Sequence, residues 1–277
     1  SPPFAGLALG VTAHHTVPVM RLSMTRQELE YLVEYTLNIG RQMMECGAEG
    51  WRAENTMARI FRAYGLEVLD AHVMATQAAV TVKTPEGVHY TSTCMILPDK
   101  TGTDLERLEL LNAASRHICQ EPPAMEDLPL AMKRPTVRWS WRELLGYVVA
   151  AGAFAVFFGG SVLDGLASGF IGGLIYLMEQ VRRVHHQNRI IYTAVASFLS
   201  GLLALGCVGV GFGADLDRIM IGDIMLFIPG LAMVNGVREF FYADILTGIY
   251  RLIEAMLIAG AIALGYAVAL MMGGRML

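Results

Sequence analysis

The pattern of hydrophobic and polar positions changes near the middle of this chain. Up to about residue 120, charged residues are spread between apolar ones, whereas long stretches after residue 143 carry almost no charge. About 20 consecutive apolar residues are enough for a helix to cross the hydrocarbon core of a membrane. The pattern therefore predicts a soluble N-terminal domain followed by a membrane domain.

The first half has helical periodicity, then strand alternation, then helical periodicity again. Six elements are predicted: helices over 25–46, 51–64 and 104–119, and strands over 67–75, 78–83 and 88–96. Pro85-Glu86-Gly87 is typical of a hairpin turn between the last two strands. We expect a compact α+β domain over residues 24–120, preceded by a poorly ordered tail over residues 1–23.

A proline-rich linker over residues 121–142 separates the two halves. Its four prolines prevent a continuous helix. Its end is basic and aromatic, with Trp139 and Trp141 among arginines. Tryptophan prefers the membrane interface and positive charge marks the cytoplasmic side, so we expect the soluble domain to be cytoplasmic.

The second half, residues 143–277, has about five apolar segments of membrane-spanning type. The segments are Leu144–Val162, Gly165–Met178, Ile190–Ala214, Ile219–Val237 and Leu252–Gly274. Basic loops on one side and acidic turns on the other predict a multi-pass protein with its N-terminus inside and its C-terminus outside. The expected fold is an α-helical membrane domain preceded by a cytoplasmic α+β domain.

The fourth apolar segment contains features that hydrocarbon does not tolerate well. Asp223 lies inside the apolar run, and Pro229-Gly230 interrupts it. A charge or a broken backbone is accepted mainly where the segment lines a polar cavity or an interface. Asp223 is therefore a candidate for a substrate or proton pathway, and the freed backbone at Pro229-Gly230 could contact a charged substrate. The alternatives are pairing of Asp223 with Arg218 near the outer surface and a purely structural kink.

Further polar residues follow this segment, and each has two interpretations. Asn235 could bind a substrate or join two helices, and Arg238 could hold a carboxylate or anchor the helix at the cytoplasmic surface. Asp244 and Arg251 lie seven residues apart on one helix face, as pathway residues or as part of a salt-bridge ladder.

Three charged residues cluster at a helix start in the soluble half: Glu49, Arg52 and Glu54. They could form a ligand site. Helix capping and surface ion pairing explain the same pattern.

Several classes of function lack support in the sequence. The formal net charge of −4 does not favour nucleic-acid binding. The four cysteines have no metal-type spacing, and the His14-His15 and His185-His186 pairs lack a third ligand. Phosphate-loop, dinucleotide-binding and nucleophile-turn motifs are missing from the sequence. We therefore predict no metal, no cofactor and no enzymatic activity.

Two groups of residues resemble the threonine/serine exporter family, over about residues 25–272. The first is the run I-P-G-x-x-x-x-N-x-x-R-[ED] at Ile228–Glu239, followed by Asp244, Thr247-Gly248 and Arg251. The second is Gly47-Ala48-Glu49, followed by Arg52, Glu54 and Tyr64-Gly65. The chain departs from the family pattern at Glu239, where Asp is usual, but the carboxylate is retained.

The resemblance implies a transporter made of two membrane modules. Long members of the family carry a soluble domain with about five spans and then a smaller membrane module. This chain resembles the first module and is similar to the larger subunit of a split two-component succinate exporter of bacteria. The implied function is export of small amino acids or dicarboxylates across the bacterial cytoplasmic membrane, driven by proton motive force. The implied partner is a separate, smaller membrane subunit.

Other readings of the chain stay open from the sequence. It could be a homo-oligomer in the lipid bilayer without a second subunit. It could also be a membrane-anchored sensor or enzyme whose soluble domain binds or converts a small metabolite.

Overall fold

The computed structural model describes residues 24–97, 102–128, 139–185 and 188–273. The expected tail over 1–23, most of the linker and the second histidine of the 185–186 pair lie outside these residues. The described elements are, in chain order, α1 (Arg26–Glu45), α2 (Gly50–Ala63), β1 (Glu67–Val73), β2 (Gln77–Lys83), β3 (His89–Met95), α3 (Leu105–Gln120), α4 (Trp141–Phe157), α5 (Val162–His185), α6 (Arg189–Gly209), α7 (Leu216–Ile224), α8 (Gly230–Phe241) and α9 (Ile245–Gly273).

The N-terminal unit, residues 24–128, packs three helices with one small sheet. The helix α1 starts at a capping box in which Thr25 and Glu28 satisfy each other's backbone N–H groups. The antiparallel strands follow the order β1-β2-β3, and alternate residues of β2, namely Ala78, Val80 and Val82, enter the core. All six predicted helices and strands are present, with ends within two residues of the predicted bounds.

The helical unit, residues 139–273, has its own core between α5, α6, α7 and α9. Ile171, Ala204 and Ile219 are buried there. The outward faces are also apolar, with Phe157 at 78% and Met256 at 72% exposure. Apolar residues on the inside and the outside of a helix bundle are what a lipid environment requires.

Three described helices are long and apolar enough to cross a membrane. They are Val162–Arg183 within α5, Arg189–Gly209 and Ile245–Gly273. The predicted first span corresponds to α4, which has 17 residues, and the predicted fourth span is divided between α7 and α8. The membrane character is supported, and the number of five spans stays a prediction.

Glycines bring α7 and α9 close to the neighbouring helices. A methyl group on Gly222 of α7 would lie 2.6 Å from the Ala151 carbonyl oxygen of α4 and 2.5 Å from Ser168 Oγ of α5. A methyl group on Gly265 of α9 would lie 2.5 Å from the Ala194 carbonyl oxygen of α6. These close approaches place α5, α6, α7 and α9 around one point, which is the side chain of Asp223.

Asp164, in the first turn of α5, holds the loop before α7. Its Oδ1 accepts hydrogen bonds from the backbone N–H groups of Ala214 (2.6 Å) and Asp215 (3.0 Å). Its Oδ2 accepts from Ser161. This buried carboxylate therefore fixes where α7 begins.

Candidate functional site

Asp223 is completely buried in the centre of the helical unit. Ser168 Oγ of α5 donates to its Oδ1 at 2.8 Å, and Ser200 Oγ of α6 donates to its Oδ2 at 3.1 Å. Ser200 Oγ also lies 3.0 Å from the hydroxyl of Tyr266 on α9. We refer to Asp223, Ser168, Ser200 and Tyr266 as the buried carboxylate cluster.

The buried carboxylate cluster surrounds Asp223 with neutral hydrogen-bonding groups. Within the described part of the chain, no basic side chain forms an ion pair with Asp223, and its bonded partners are hydroxyl groups. A carboxylate buried without a counter-charge is costly unless its oxygens are hydrogen-bonded. The hydroxyl groups can donate to the ionised form, so the site can hold either state. The pairing with Arg218 that the sequence left open is not found: Arg218 pairs with Asp215 at 3.5 Å.

The break predicted at Pro229-Gly230 is present directly after Asp223. The helix α7 ends at Ile224, and α8 begins at Gly230 with Pro229 as its N-cap residue. Among the described residues, no side chain caps this N-terminus, and a methyl group on Gly230 would meet no atom within 4 Å. The break therefore redirects the chain next to the buried carboxylate, in open surroundings.

The other predicted pathway residues face the N-terminal unit. The turn between α1 and α2 starts at Gly47, whose φ of 90° favours glycine. Its carbonyl oxygen accepts a hydrogen bond from Asn235 Nδ2 at 3.0 Å. The carbonyl oxygen of Ala48 accepts one from Arg251 at 2.6 Å. We call the contacts between the 47–50 turn and helices α8 and α9 the docking cluster.

Charged side chains complete the docking cluster. Arg238 of α8 donates to Glu49 Oε1 at 2.7 Å, and Arg52 donates to Glu49 Oε2 at 3.4 Å. Glu239 Oε1 accepts from the Gly50 backbone N–H at 3.0 Å and lies 3.6 Å from Arg251. The two sequence groups that carry the family resemblance therefore contact each other across the boundary between the two units.

The remaining predicted residues hold the local backbone. Asp244 Oδ1 accepts from the Thr247 N–H at 3.1 Å and so caps the start of α9. Glu54 Oε1 accepts from the Val73 N–H at 2.9 Å and ties α2 to the end of β1. Neither side chain forms an ion pair with Arg251 in the described residues.

The two carboxylates of the docking cluster differ in their electrostatics. Burial alone would raise the pKa of Glu49, but the hydrogen bond from Arg238 and the charge of Arg52 hold its pKa below the ordinary value. Burial raises the pKa of Glu239 above its ordinary value, although the Gly50 N–H and Arg251 oppose this. Glu239 Oε2 is also buried without a hydrogen-bond partner. Glu49 is thus stabilised as an anion, whereas the ionised form of Glu239 is destabilised by burial.

The family model for threonine/serine exporters matches residues 34–273, which include both clusters. This chain belongs to the threonine/serine exporter family. The family is a family of transporters, which agrees with the helices of membrane-spanning length. Searches of curated proteins and of solved structures gave no match.

Three contacts at this site were not predicted from the sequence. Glu239 was noted only as a departure from the family pattern, yet it is completely buried in the docking cluster. Thr247 Oγ1 accepts from the Ala75 N–H at 3.2 Å, and Trp51 stacks on Tyr242 with ring centroids 4.8 Å apart. The sequence did contain a sign of these contacts, because both family motifs are rich in polar residues that have no evident structural role within their own unit.

Proposed function

We propose that this chain is a subunit of a secondary-active exporter of small polar metabolites, either amino acids such as threonine and serine or dicarboxylates such as succinate. The observation that carries the proposal is Asp223, a carboxylate buried among apolar helices with only hydroxyl partners. Proton-coupled transporters need one group that binds and releases a proton inside the membrane. Asp223 supplies that group next to a helix break.

The docking cluster gives the N-terminal unit a role in this mechanism. It covers the end of α8 and the start of α9 with direct hydrogen bonds. In our proposal these contacts hold the transporter in a state closed towards the cytoplasm. Their release opens the helical unit to substrate, while protonation of Asp223 couples the change to the proton gradient.

The proposed setting is the bacterial cytoplasmic membrane, with the N-terminal unit inside and the C-terminus outside. A smaller membrane subunit of the same family is the proposed partner. The exposed apolar faces of α8, including Leu231, Val234 and Phe241, offer a surface for that subunit or for lipid. Gentle purification from native membranes, followed by identification of the co-purifying membrane protein, tests the partner.

The transport mechanism is tested with Asp223→Asn in reconstituted vesicles. Asparagine keeps the size and hydrogen-bonding capacity of the side chain but cannot bind and release a proton in this pH range. We expect proton-driven export to stop while the protein still folds. Unchanged proton coupling would remove Asp223 from the mechanism. A protein that binds metabolites but gives no flux would favour the sensor alternative.

A further inference from the structure

A small cavity lies where the N-terminal unit meets helices α6, α8 and α9. Its volume is about 50 Å³, and its walls include Gly47 and Gly102 of the N-terminal unit. The opposite wall carries Arg189, Asn235, Arg251 and Glu254, together with Tyr250. We call this space the junction cavity.

The junction cavity contains charged groups without partners. Among the described residues, neither the Arg189 guanidinium nor the Glu254 carboxylate has a hydrogen bond or an ion pair. Arg251 uses its terminal nitrogen for Ala48, while its Nε is buried without a hydrogen-bond partner. Leaving the buried Arg251 Nε unsatisfied is costly, and the charges of Arg189 and Glu254 beside it are partly exposed, so together they offer a site for a polar ligand.

Arg189, which lines the junction cavity, lies on the same face of α6 as Ser200 of the buried carboxylate cluster. Thr193, Ser197 and Ser200 follow Arg189 at spacings of four and three residues, so they lie on one face of α6. All three are buried, and Ser197 Oγ has no hydrogen-bond partner. A line of buried hydroxyl groups therefore runs for roughly 10 Å along α6 to the partner of Asp223.

We infer that the junction cavity is a binding site for the zwitterionic head group of a small amino acid, and that Glu254 selects amino acids over dicarboxylates. The substrate carboxylate pairs with Arg189 and the free Nε of Arg251, and the ammonium group pairs with Glu254. The cavity has room for about three or four waters, which these two groups would replace. A dicarboxylate would bring its second negative charge towards Glu254 and would be repelled.

This inference rests on the proposed export function, and it names the place where substrate first binds. The test uses inside-out membrane vesicles that contain the full chain with any co-purifying membrane subunit. Uptake of radiolabelled L-threonine is measured against its concentration, with succinate as a competitor. The variants are Glu254→Gln and Arg189→Gln. The matched controls are Glu86→Gln and Arg116→Gln, whose side chains are exposed in the N-terminal unit.

Both cavity variants should raise the KM for threonine by roughly tenfold or more, because each removes one charge-assisted contact. The kcat should change much less, since the contacts belong to initial binding. Glu254→Gln should also make succinate a stronger competitor, whereas Arg189→Gln should make it weaker. An unchanged KM, or equal inhibition by succinate in Glu254→Gln and the wild type, would show that the cavity holds only water.

A second measurement separates this inference from the export function. Thr103 is exposed and lines the junction cavity, so a Thr103→Cys thiol should react with a water-soluble maleimide. L-threonine should slow the labelling of Thr103→Cys at least severalfold, and this protection should be lost when Glu254→Gln is added. Protection without any threonine flux would overturn the proposed export function but keep the site. Flux without protection would overturn the site alone.

Discussion

The two polar clusters of this protein treat their carboxylates in opposite ways. Asp223 is completely buried and, among the described residues, is held by hydroxyl groups alone, whereas Glu49 is held by Arg238 and Arg52. A carboxylate among neutral donors can bind or release a proton without breaking an ion pair. A carboxylate between arginines stays ionised and holds its neighbours in place. In our proposal the first cluster therefore binds and releases protons, and the second joins the two units.

The structure assigns to two separate clusters residues that the sequence had placed in one pathway. Asn235, Arg238 and Arg251 follow Asp223 in the chain, and all three were candidates for substrate contact. In the structure they bind the 47–50 turn of the N-terminal unit. Variants of the two clusters should therefore fail in different ways, which the following predictions use.

The largest effect is expected for Gly222→Ala, which disrupts the buried carboxylate cluster from its backbone. The added methyl group would lie 2.6 Å from the Ala151 carbonyl oxygen, so α4 and α7 must move apart. Overpacking of this kind costs about 3 kcal/mol of unfolding free energy or more when backbone must shift. The thermal unfolding midpoint in detergent should fall, and transport should be strongly impaired. Gly260→Ala in α9 is the matched control, because no atom of the described residues lies within 4 Å of its added methyl group.

A large effect of a different kind is expected for Arg251→Gln in the docking cluster. Its side chain is 11% exposed and lies 3.6 Å from Glu239, which is fully buried. Removal of the cation leaves a buried carboxylate without a counter-charge, at a cost of about 3 kcal/mol. We expect faster protease cleavage between the two units, while the helical unit stays folded. Arg218→Gln is the control, since its ion pair with Asp215 is at the surface and should contribute about 0–1 kcal/mol.

A moderate effect is expected for Ser200→Ala, which removes one donor from Asp223. The lost hydrogen bond to a carboxylate is worth about 1.5–3 kcal/mol, and Tyr266 loses its partner at the same time. Proton-coupled transport should slow by roughly tenfold without release of the N-terminal unit. Ser115→Ala provides the comparison, because this buried serine bonds only within α3. If Ser200→Ala transports as fast as Ser115→Ala, the hydroxyl partners are not part of proton binding.

The smallest effects concern the pH dependence of the docking cluster. The raised pKa of Glu239 means that its contribution to stability is lost as pH rises through that pKa, above the ordinary value of 4.5. The lowered pKa of Glu49 means that its contribution is present above 4.5 and is lost as pH falls through the lowered pKa. If thermal unfolding midpoints are measured against pH, Glu239→Gln should remove the decrease in stability that the wild type shows above pH 4.5. Glu49→Gln should remove the decrease in stability that the wild type shows as the pH falls below 4.5. If each variant instead changed the pH range assigned to the other, the two pKa directions would be wrong.

The sequence predicted the local structure well because the necessary signals are local. Periodicity located the elements of the N-terminal unit, and Pro229-Gly230 marked the break between α7 and α8. The sequence also identified Asp223 as unusual, because a carboxylate in an apolar run is costly wherever the helix lies. The contacts of α8 and α9 with the 47–50 turn, by contrast, join residues more than 180 positions apart, such as Asn235 and Gly47. No periodicity in a single sequence reports such contacts, and so Glu239 and the docking role of Arg251 were not found.

The long sequence separation between partners in the docking cluster has a consequence for the synthesis and membrane assembly of this protein. The 47–50 turn leaves the ribosome about 190 residues before Arg238, its partner in the hydrogen bond to Glu49. The N-terminal unit therefore has time to fold before α8 and α9 are synthesised. Its turn can bind them only if the end of α8 and the start of α9 emerge on the same side of the membrane. Docking thus completes only in chains whose last helices were threaded in the correct direction, and a misinserted copy would expose Glu49 and its unsatisfied backbone groups to quality-control proteases.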